Sequence, residues 1–230
     1  MAYDLVPSNE KHLPRNRILC GESAALLASF PSESVDLVVT DPPYLINYRD
    51  RDGRTVMNDD NPEAVLSVYD ELYRVLKPNS YCISFYGWST IAAFSERWKQ
   101  TGFNIAGHFV WHKNYQSSAG HVGYCHESAY LLVKGNPIKP QQPLPDVQAW
   151  DYSGNKSHPT EKAVSILTPL INTYSNQGGV VLDPFSGSGS TAVSAVLNGR
   201  DYIGIELVQR YCELAERRIA GACRYLDQAA

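Results

Sequence analysis

Val180-Val-Leu182 runs directly into Asp183-Pro-Phe-Ser-Gly-Ser-Gly-Ser-Thr191, and the next strand-like run, Tyr202-Ile-Gly-Ile-Glu206, ends in an acid 23 residues after Asp183. The first triplet suits a short buried strand, which Pro184 ends. Gly187 and Gly189 allow a sharp turn that side chains would resist, and a helix is expected from Ser190 to Leu197. Strand, glycine turn, helix and strand in this order commit the chain to a largely parallel sheet. Such a turn lets a ligand approach the main chain at the sheet's C-terminal edge, and an acid about 20 residues on can take ribose hydroxyls. The G-x-x-x-x-G-K-[ST] phosphate pattern is missing and no Lys follows Gly189. A nucleoside cofactor without a phosphate to grip therefore fits best, and a plain turn with a solvated Glu206 is the alternative.

The same alternation runs along the rest of the chain. Val35-Asp-Leu-Val-Val-Thr40 is a β-branched run that stops at Asp41-Pro42-Pro43. Residues 45–62 are polar and charged, a long loop of the kind that usually carries function. Apolar residues at 65, 66, 69, 72, 73 and 76 form a helical stripe that stops at Lys77-Pro78-Asn79. Further strands are expected at 81–86, 105–111 and 128–133, and further helices at 91–100, from Thr160 to about Tyr174, and up to about Arg218. The expected fold is α/β, a mostly parallel sheet with helices on both faces. All 230 residues are expected to form a single domain. Residues 134–159 hold five prolines and little periodicity, the main shift in composition.

Asp41-Pro42-Pro43-Tyr44 also lies just past a strand. Two prolines stiffen the backbone and hold the Asp carboxylate, a main-chain carbonyl and the Tyr ring together. Two acceptors suit an amino group with two N–H donors, and the ring offers a stacking surface for a planar base.

Together these patterns resemble the S-adenosylmethionine-dependent amino-methyltransferases of DNA, which modify adenine N6 or cytosine N4. Asp41 to Tyr44 resembles their DPPY motif and Asp183 to Thr191 their cofactor motif. The DPPY block comes first, which resembles the permuted β-class order. The resemblance covers roughly residues 17–133 and 156–218. It implies a Rossmann-like fold with a mostly parallel seven-stranded sheet, S-adenosyl-L-methionine as cofactor and double-stranded DNA as partner. It implies further that Asp41 and the Pro42 carbonyl, stiffened by Pro43, accept from the target amino group while Tyr44 stacks on the extruded base. Asp183, Pro184, Phe185, Gly187 and Gly189 would shape the cofactor pocket, and Glu206 would bind the ribose. His158-Pro-Thr-Glu-Lys162 resembles the segment that packs on the methionine end, with Thr160 and Lys162 as contacts. Glu22 stands where relatives often carry Asp near the cofactor adenine. DPPY rather than Ser-Pro-Pro-Tyr tilts the target toward adenine. Cytosine N4 is the near alternative, and a non-catalytic DNA-binding subunit is the alternative from another class.

Relatives usually insert a sizeable recognition region where this chain has only residues 134–157, so that Pro-rich segment is the candidate for target recognition. A net charge of −4 gives no basic whole-molecule field. Few phosphate contacts per chain make a homodimer the expectation. Candidate DNA-facing cations are Lys11, Arg15, Arg17, His112, Lys113, Lys134 and Lys139, together with Arg49, Arg51 and Arg54 in the loop that follows Tyr44. Trp88, Trp98 and Trp111 are expected in the core or in strands, whereas Trp150 is a candidate pocket wall. The five cysteines have no ligand spacing, so no metal is expected. No apolar run approaches a membrane span and no signal peptide is seen at the start, so the expected setting is cytoplasmic.

Overall fold

The computed structural model describes residues 12–49, 53, 55–151, 154 and 161–229. Ten strands and seven helices are present among them. They are β1 (Arg17–Cys20), α1 (Ser23–Leu27), β2 (Val35–Thr40), α2 (Pro62–Leu66), α3 (Val68–Val75), β3 (Leu76–Phe85), α4 (Ile91–Thr101) and β4 (Asn104–His112). They continue with β5 (Ser118–Ala119), β6 (Gly123–Tyr124), β7 (His126–Lys134), β8 (Val147–Ala149), α5 (Val164–Tyr174), β9 (Val180–Asp183), α6 (Ser190–Leu197), β10 (Asp201–Glu206) and α7 (Gln209–Ala229).

Eight strands form one sheet in the order β1-β10-β9-β2-β3-β7-β4-β8, and β5 and β6 form a separate two-stranded ribbon. The expected seven strands become eight because Val147–Ala149 pairs in parallel with Val110–His112 at the sheet edge. Three residues among prolines carry no readable period, so only the backbone partner reveals this strand. Within the sheet only β7 is antiparallel to its neighbours.

Alternating residues of each strand divide between two cores, as a sheet covered on both faces requires. Val38, Cys82, Leu132, Leu182 and Ile205 pack with Leu27, Tyr69, Leu72, Phe94 and Trp98 from α1, α3 and α4. Leu37, Val39, Ile83, Phe85, Leu131 and Val181 pack on the other face with Ile166, Leu170 and Ile171 of α5. α6 and α7 close the β10 side through Ala192, Val193, Ile219 and Ala222.

Three local readings change. The 63–76 stripe breaks into two helices at Ser67, which caps neither with its side chain and is itself in helical geometry. β3 starts at Leu76 rather than after Pro78. The pairing jumps from Val35–Leu76 to Leu37–Tyr81, so Pro78 lies in an irregularity where its missing N–H breaks no ladder. The last helix extends to Ala229, well beyond Arg218.

Candidate active site

The chain leaves β2 through α2 and α3 on one face and leaves β9 through α6 on the other, yet β2 and β9 are paired neighbours. Connections that depart to opposite faces open a crevice beyond the carboxyl ends of the two strands, the usual ligand site of an open α/β sheet. Asp41 follows β2 there and Asp183 ends β9. A cavity of about 1120 Å³ fills this edge, and its walls include every described residue of both motifs except Gly189, together with Glu22, Lys162 and Glu206.

The cofactor half is built largely from main chain. Glu206 Oε2 accepts from the Gly187 amide at 2.9 Å and Oε1 from the Val208 amide at 2.8 Å. Burial raises its pKa above the ordinary carboxylate value, against those hydrogen bonds. Asp183 accepts from the Thr191 hydroxyl at 2.6 Å and the Phe185 amide at 3.1 Å, and burial pushes its carboxyl up to about 7. Gly189 has φ +81°, and a Cβ there would stand 2.7 Å from the Ala215 Cβ and 3.0 Å from its Cα. The turn is therefore seated on α7, which a side chain would prevent. From α7, Arg218 donates to the Ser188 carbonyl at 2.7 Å and the Ser190 hydroxyl at 3.1 Å, and pairs with Glu161 at 2.9 Å. It thus ties the glycine turn to the segment carrying Lys162. Glu22 caps α1, accepting from the Ala24 and Ala25 amides at 3.1 and 2.7 Å. Its carboxylate works structurally at the cavity wall.

The catalytic half is built from distant side chains. The Tyr44 hydroxyl donates to Asp41 Oδ1 at 2.8 Å, and Lys162 Nζ donates to Asp41 Oδ2 at 2.5 Å. Burial raises the Asp41 pKa, and Lys162 and Tyr44 pull it back. Thr90 Oγ1 donates to the Tyr44 carbonyl at 2.7 Å. A Cβ on Gly87 would lie 2.9 Å from the Tyr44 Cβ, so only glycine leaves room for the tyrosine at the end of β3. Beyond Tyr44, Leu45 and Asn47 take φ of +61° and +54°. The buried Asp59 carboxylate holds this strained loop, accepting from the amides of Leu45 at 2.7 Å, Ile46 at 3.3 Å and Tyr48 at 2.5 Å.

Several expected positions land elsewhere. Lys113 does not face outward: it is 6% exposed and paired with Glu127 inside the cavity. Lys134 donates to the Tyr73 and Leu76 carbonyls at 2.8 and 2.7 Å, closing a helix end. Arg15 pairs with Asp201. Trp98 and Trp111 are buried as expected, but Trp88 is 57% exposed and stacks on Tyr124 at the cavity rim. Trp150 does line the cavity. Thr160, His158, Lys11, Arg51 and Arg54 lie outside the described residues. Sequence reasoning missed Gly87, Thr90, Asp59, Glu127 and Arg218, which belong to no local pattern; the dense polar residues of the 45–62 loop were the only pointer to Asp59.

A carboxylate-and-carbonyl turn beside a glycine turn, at the switch point of a parallel sheet, defines a group-transfer enzyme for an amino substrate and a nucleoside cofactor. The profile of the DNA methylase family, the N6/N4 amino-methyltransferases, matches residues 35–217, and the chain belongs to that family. It is 48% identical to YubD of Escherichia coli (strain K12) over 215 residues, covering 94% of this chain and 95% of YubD. It is 29% identical to the DNA adenine methyltransferase YhdJ of the same organism over 251 residues, covering 90% of this chain and 84% of YhdJ. Among solved structures, a DNA modification methylase from Thermus thermophilus, complexed with S-adenosyl-L-methionine, superposes with a TM-score of 0.69 at 27% identity, covering 90% of this chain and 95% of that one. The chain is accordingly an S-adenosyl-L-methionine-dependent DNA methyltransferase. Its cavity suits that cofactor: Glu206 offers a carboxylate for hydroxyls, Phe185, Leu207 and Val208 offer apolar walls, and the buried Ser186 hydroxyl has no hydrogen-bond partner within the structure. Among the described residues, no helix is long and apolar enough to cross a membrane.

Proposed function

We propose that the chain methylates the N6 amino group of adenine in double-stranded DNA after rotating the base out of the helix. The observation that carries this reading is the single cavity that joins Asp41 and Tyr44 to Asp183 and Glu206 across the paired strands β2 and β9. Asp41 in place of a serine, and the similarity to a protein named as a DNA adenine methyltransferase, favour adenine over cytosine.

An exocyclic amino group is a poor nucleophile because its lone pair is delocalised into the ring. Holding its two hydrogens on Asp41 and the Pro42 carbonyl favours a pyramidal nitrogen with an available lone pair. The Asp41 carboxylate then stabilises the positive charge that develops on nitrogen, and Pro43 keeps the two acceptors in register. Tyr44 stacks on the extruded base, whose unstacking requires a few kcal/mol. When bound, S-adenosyl-L-methionine supplies an electrophilic methyl group on a sulfonium. Glu206 holds its ribose, and Asp183, Pro184, Phe185, Gly187 and Gly189 shape its pocket. Lys162 and Thr160 hold its methionine end, and Glu22 borders its adenine.

Residues 134–157 serve as the recognition segment in a single-domain enzyme, and two chains together supply the phosphate contacts. Sedimentation with and without duplex DNA tests the dimer, and monomer alone under both conditions removes it. The central test is methyl transfer from labelled S-adenosyl-L-methionine to mixed-sequence duplex, wild type beside Asp41→Ala, followed by nucleoside mass spectrometry. N6-methyladenine that disappears in the variant is expected, with a loss on the order of 10²–10³-fold. Label in N4-methylcytosine would replace the target base while keeping the mechanism. Cofactor binding without label in any nucleic acid would favour the non-catalytic subunit.

A further inference from the structure

The turn carrying Asp41 has a second charge pair beside it. β7 runs against its neighbours, so its first residues, not its last, reach the edge where the parallel strands end. This brings Glu127 into the cavity, with its carboxylate beside the Tyr44 hydroxyl. Lys113, one residue past β4, is buried and donates from Nζ to Glu127 Oε1. Trp150 spans the two pairs: Lys113 Nζ lies 5.4 Å and Lys162 Nζ 6.0 Å from its ring centroid. Two ion pairs, Lys162–Asp41 and Lys113–Glu127, thus flank one phenol.

That phenol has one proton and two carboxylates to receive it. Its proton goes to Asp41 Oδ1 at 2.8 Å while Lys162 occupies Oδ2, so both oxygens of the acceptor assigned to the target amino group are already engaged. We infer that Glu127, held in place by Lys113, is a positioning residue that offers Tyr44 a second acceptor, so that the hydroxyl can release Asp41 to the incoming amino group. This rests on the reading of Asp41 as that acceptor. No covalent bond changes: one O–H···O hydrogen bond is exchanged for another, and the amino N–H takes the freed lone pair. The proton stays on the Tyr44 oxygen, because burial first, then the charges of Asp41 and Glu127, raise this phenol well above its ordinary pKa.

The arrangement also reaches Asp41 electrostatically. Facing it are Lys162 from the segment before α5, Tyr44 from its own turn, Glu127 from β7, Asp183 from β9 and Tyr69 from α3. Glu127 raises the Asp41 carboxyl, and its partner Lys113 offsets that charge. Lys113→Met is therefore expected to move the acidic limb of the rate profile to higher pH, since Asp41 must be ionised to accept the amino hydrogen.

The test is a double-mutant cycle on the full chain, read as single-turnover methyl transfer to duplex DNA. Loss of one hydrogen bond to a charged group predicts about a tenfold lower rate for Glu127→Ala. The DNA KM and cofactor Kd should stay within about twofold of wild type, since neither ligand is held by Glu127. In a Tyr44→Phe background, with no hydroxyl proton to place, the same substitution should change almost nothing. Equal losses in both backgrounds, or a loss confined to KM, overturn the inference. Glu127→Ala strands a buried ammonium, so Lys113→Met/Glu127→Leu is run beside it to remove the acceptor without leaving an unpaired charge. This variant should show the same rate loss when folded, and a wild-type rate overturns the inference. Asp41→Ala separates the two claims: full transfer by that variant sinks the reading of Asp41, whereas its loss leaves Glu127 judged by the cycle.

Discussion

The two halves of the cavity are constructed in opposite ways. The cofactor half is local: Asp183, the two turn glycines and Thr191 lie within nine consecutive residues, and Glu206 ends the adjacent strand. Main-chain amides of Gly187, Val208 and Phe185 hold its acids. The catalytic half has four local residues but distant supports, with Asp59, Gly87, Thr90, Glu127 and Lys162 arriving from separate elements. A backbone cradle tolerates little change in shape and much in neighbouring side chains. A side-chain network holds its geometry only while each remote member stays in place.

The largest expected effect attacks the cradle. Gly189→Val forces a branched side chain into left-handed geometry and against Ala215. Strain of this kind amounts to roughly 2–3 kcal/mol or more, and thermal unfolding together with loss of cofactor binding should report it. Retained cofactor affinity would show that the turn need not sit on α7.

Asp183 offers a cleaner probe. Its carboxyl is raised from 3.8 to about 7, so between those values the folded protein keeps a proton that the unfolded chain has lost. Stability from this group is therefore fully present below about pH 4 and falls as pH rises to about 7, by roughly a few kcal/mol. Asp183→Asn should flatten that part of the melting-temperature profile, and an unchanged slope would refute the assignment.

The remaining predictions probe the network. Asp59→Asn weakens a charged acceptor shared by three amides, and roughly 1–2 kcal/mol is expected from its hydrogen bonds. Because the loop lies at the catalytic side, the rate of methyl transfer should fall more than cofactor affinity. Thr90→Val removes a single hydrogen bond to the Tyr44 carbonyl, about 1 kcal/mol. A several-fold slower rate with unchanged melting is the outcome to look for. Equal effects of these two substitutions on cofactor binding would erase the contrast between the halves.

Legibility followed the same division. Strand periodicity and the breakers Pro42, Pro43 and Pro184 marked where β2 and β9 end, and those ends are where the site lies. Lys113 and Trp88 were misplaced because type and spacing alone cannot distinguish a buried, paired lysine from a solvated one, or a rim tryptophan from a core one. The strand Val147–Ala149 was invisible for a related reason, since its partner is 37 residues away in β4.

What the sequence by itself determined is the α/β class, the order of the two motifs and the acids each presents, because these depend on periods, breakers and residues close along the chain. Tertiary structure alone decided which remote groups surround Asp41. The antiparallel run of β7 delivers Glu127 by its leading end, and the close of β4 delivers Lys113 beside it. Sheet order and strand direction arise from non-local pairing of whole elements. No local pattern encodes them, and they set the charge around the reacting amino group.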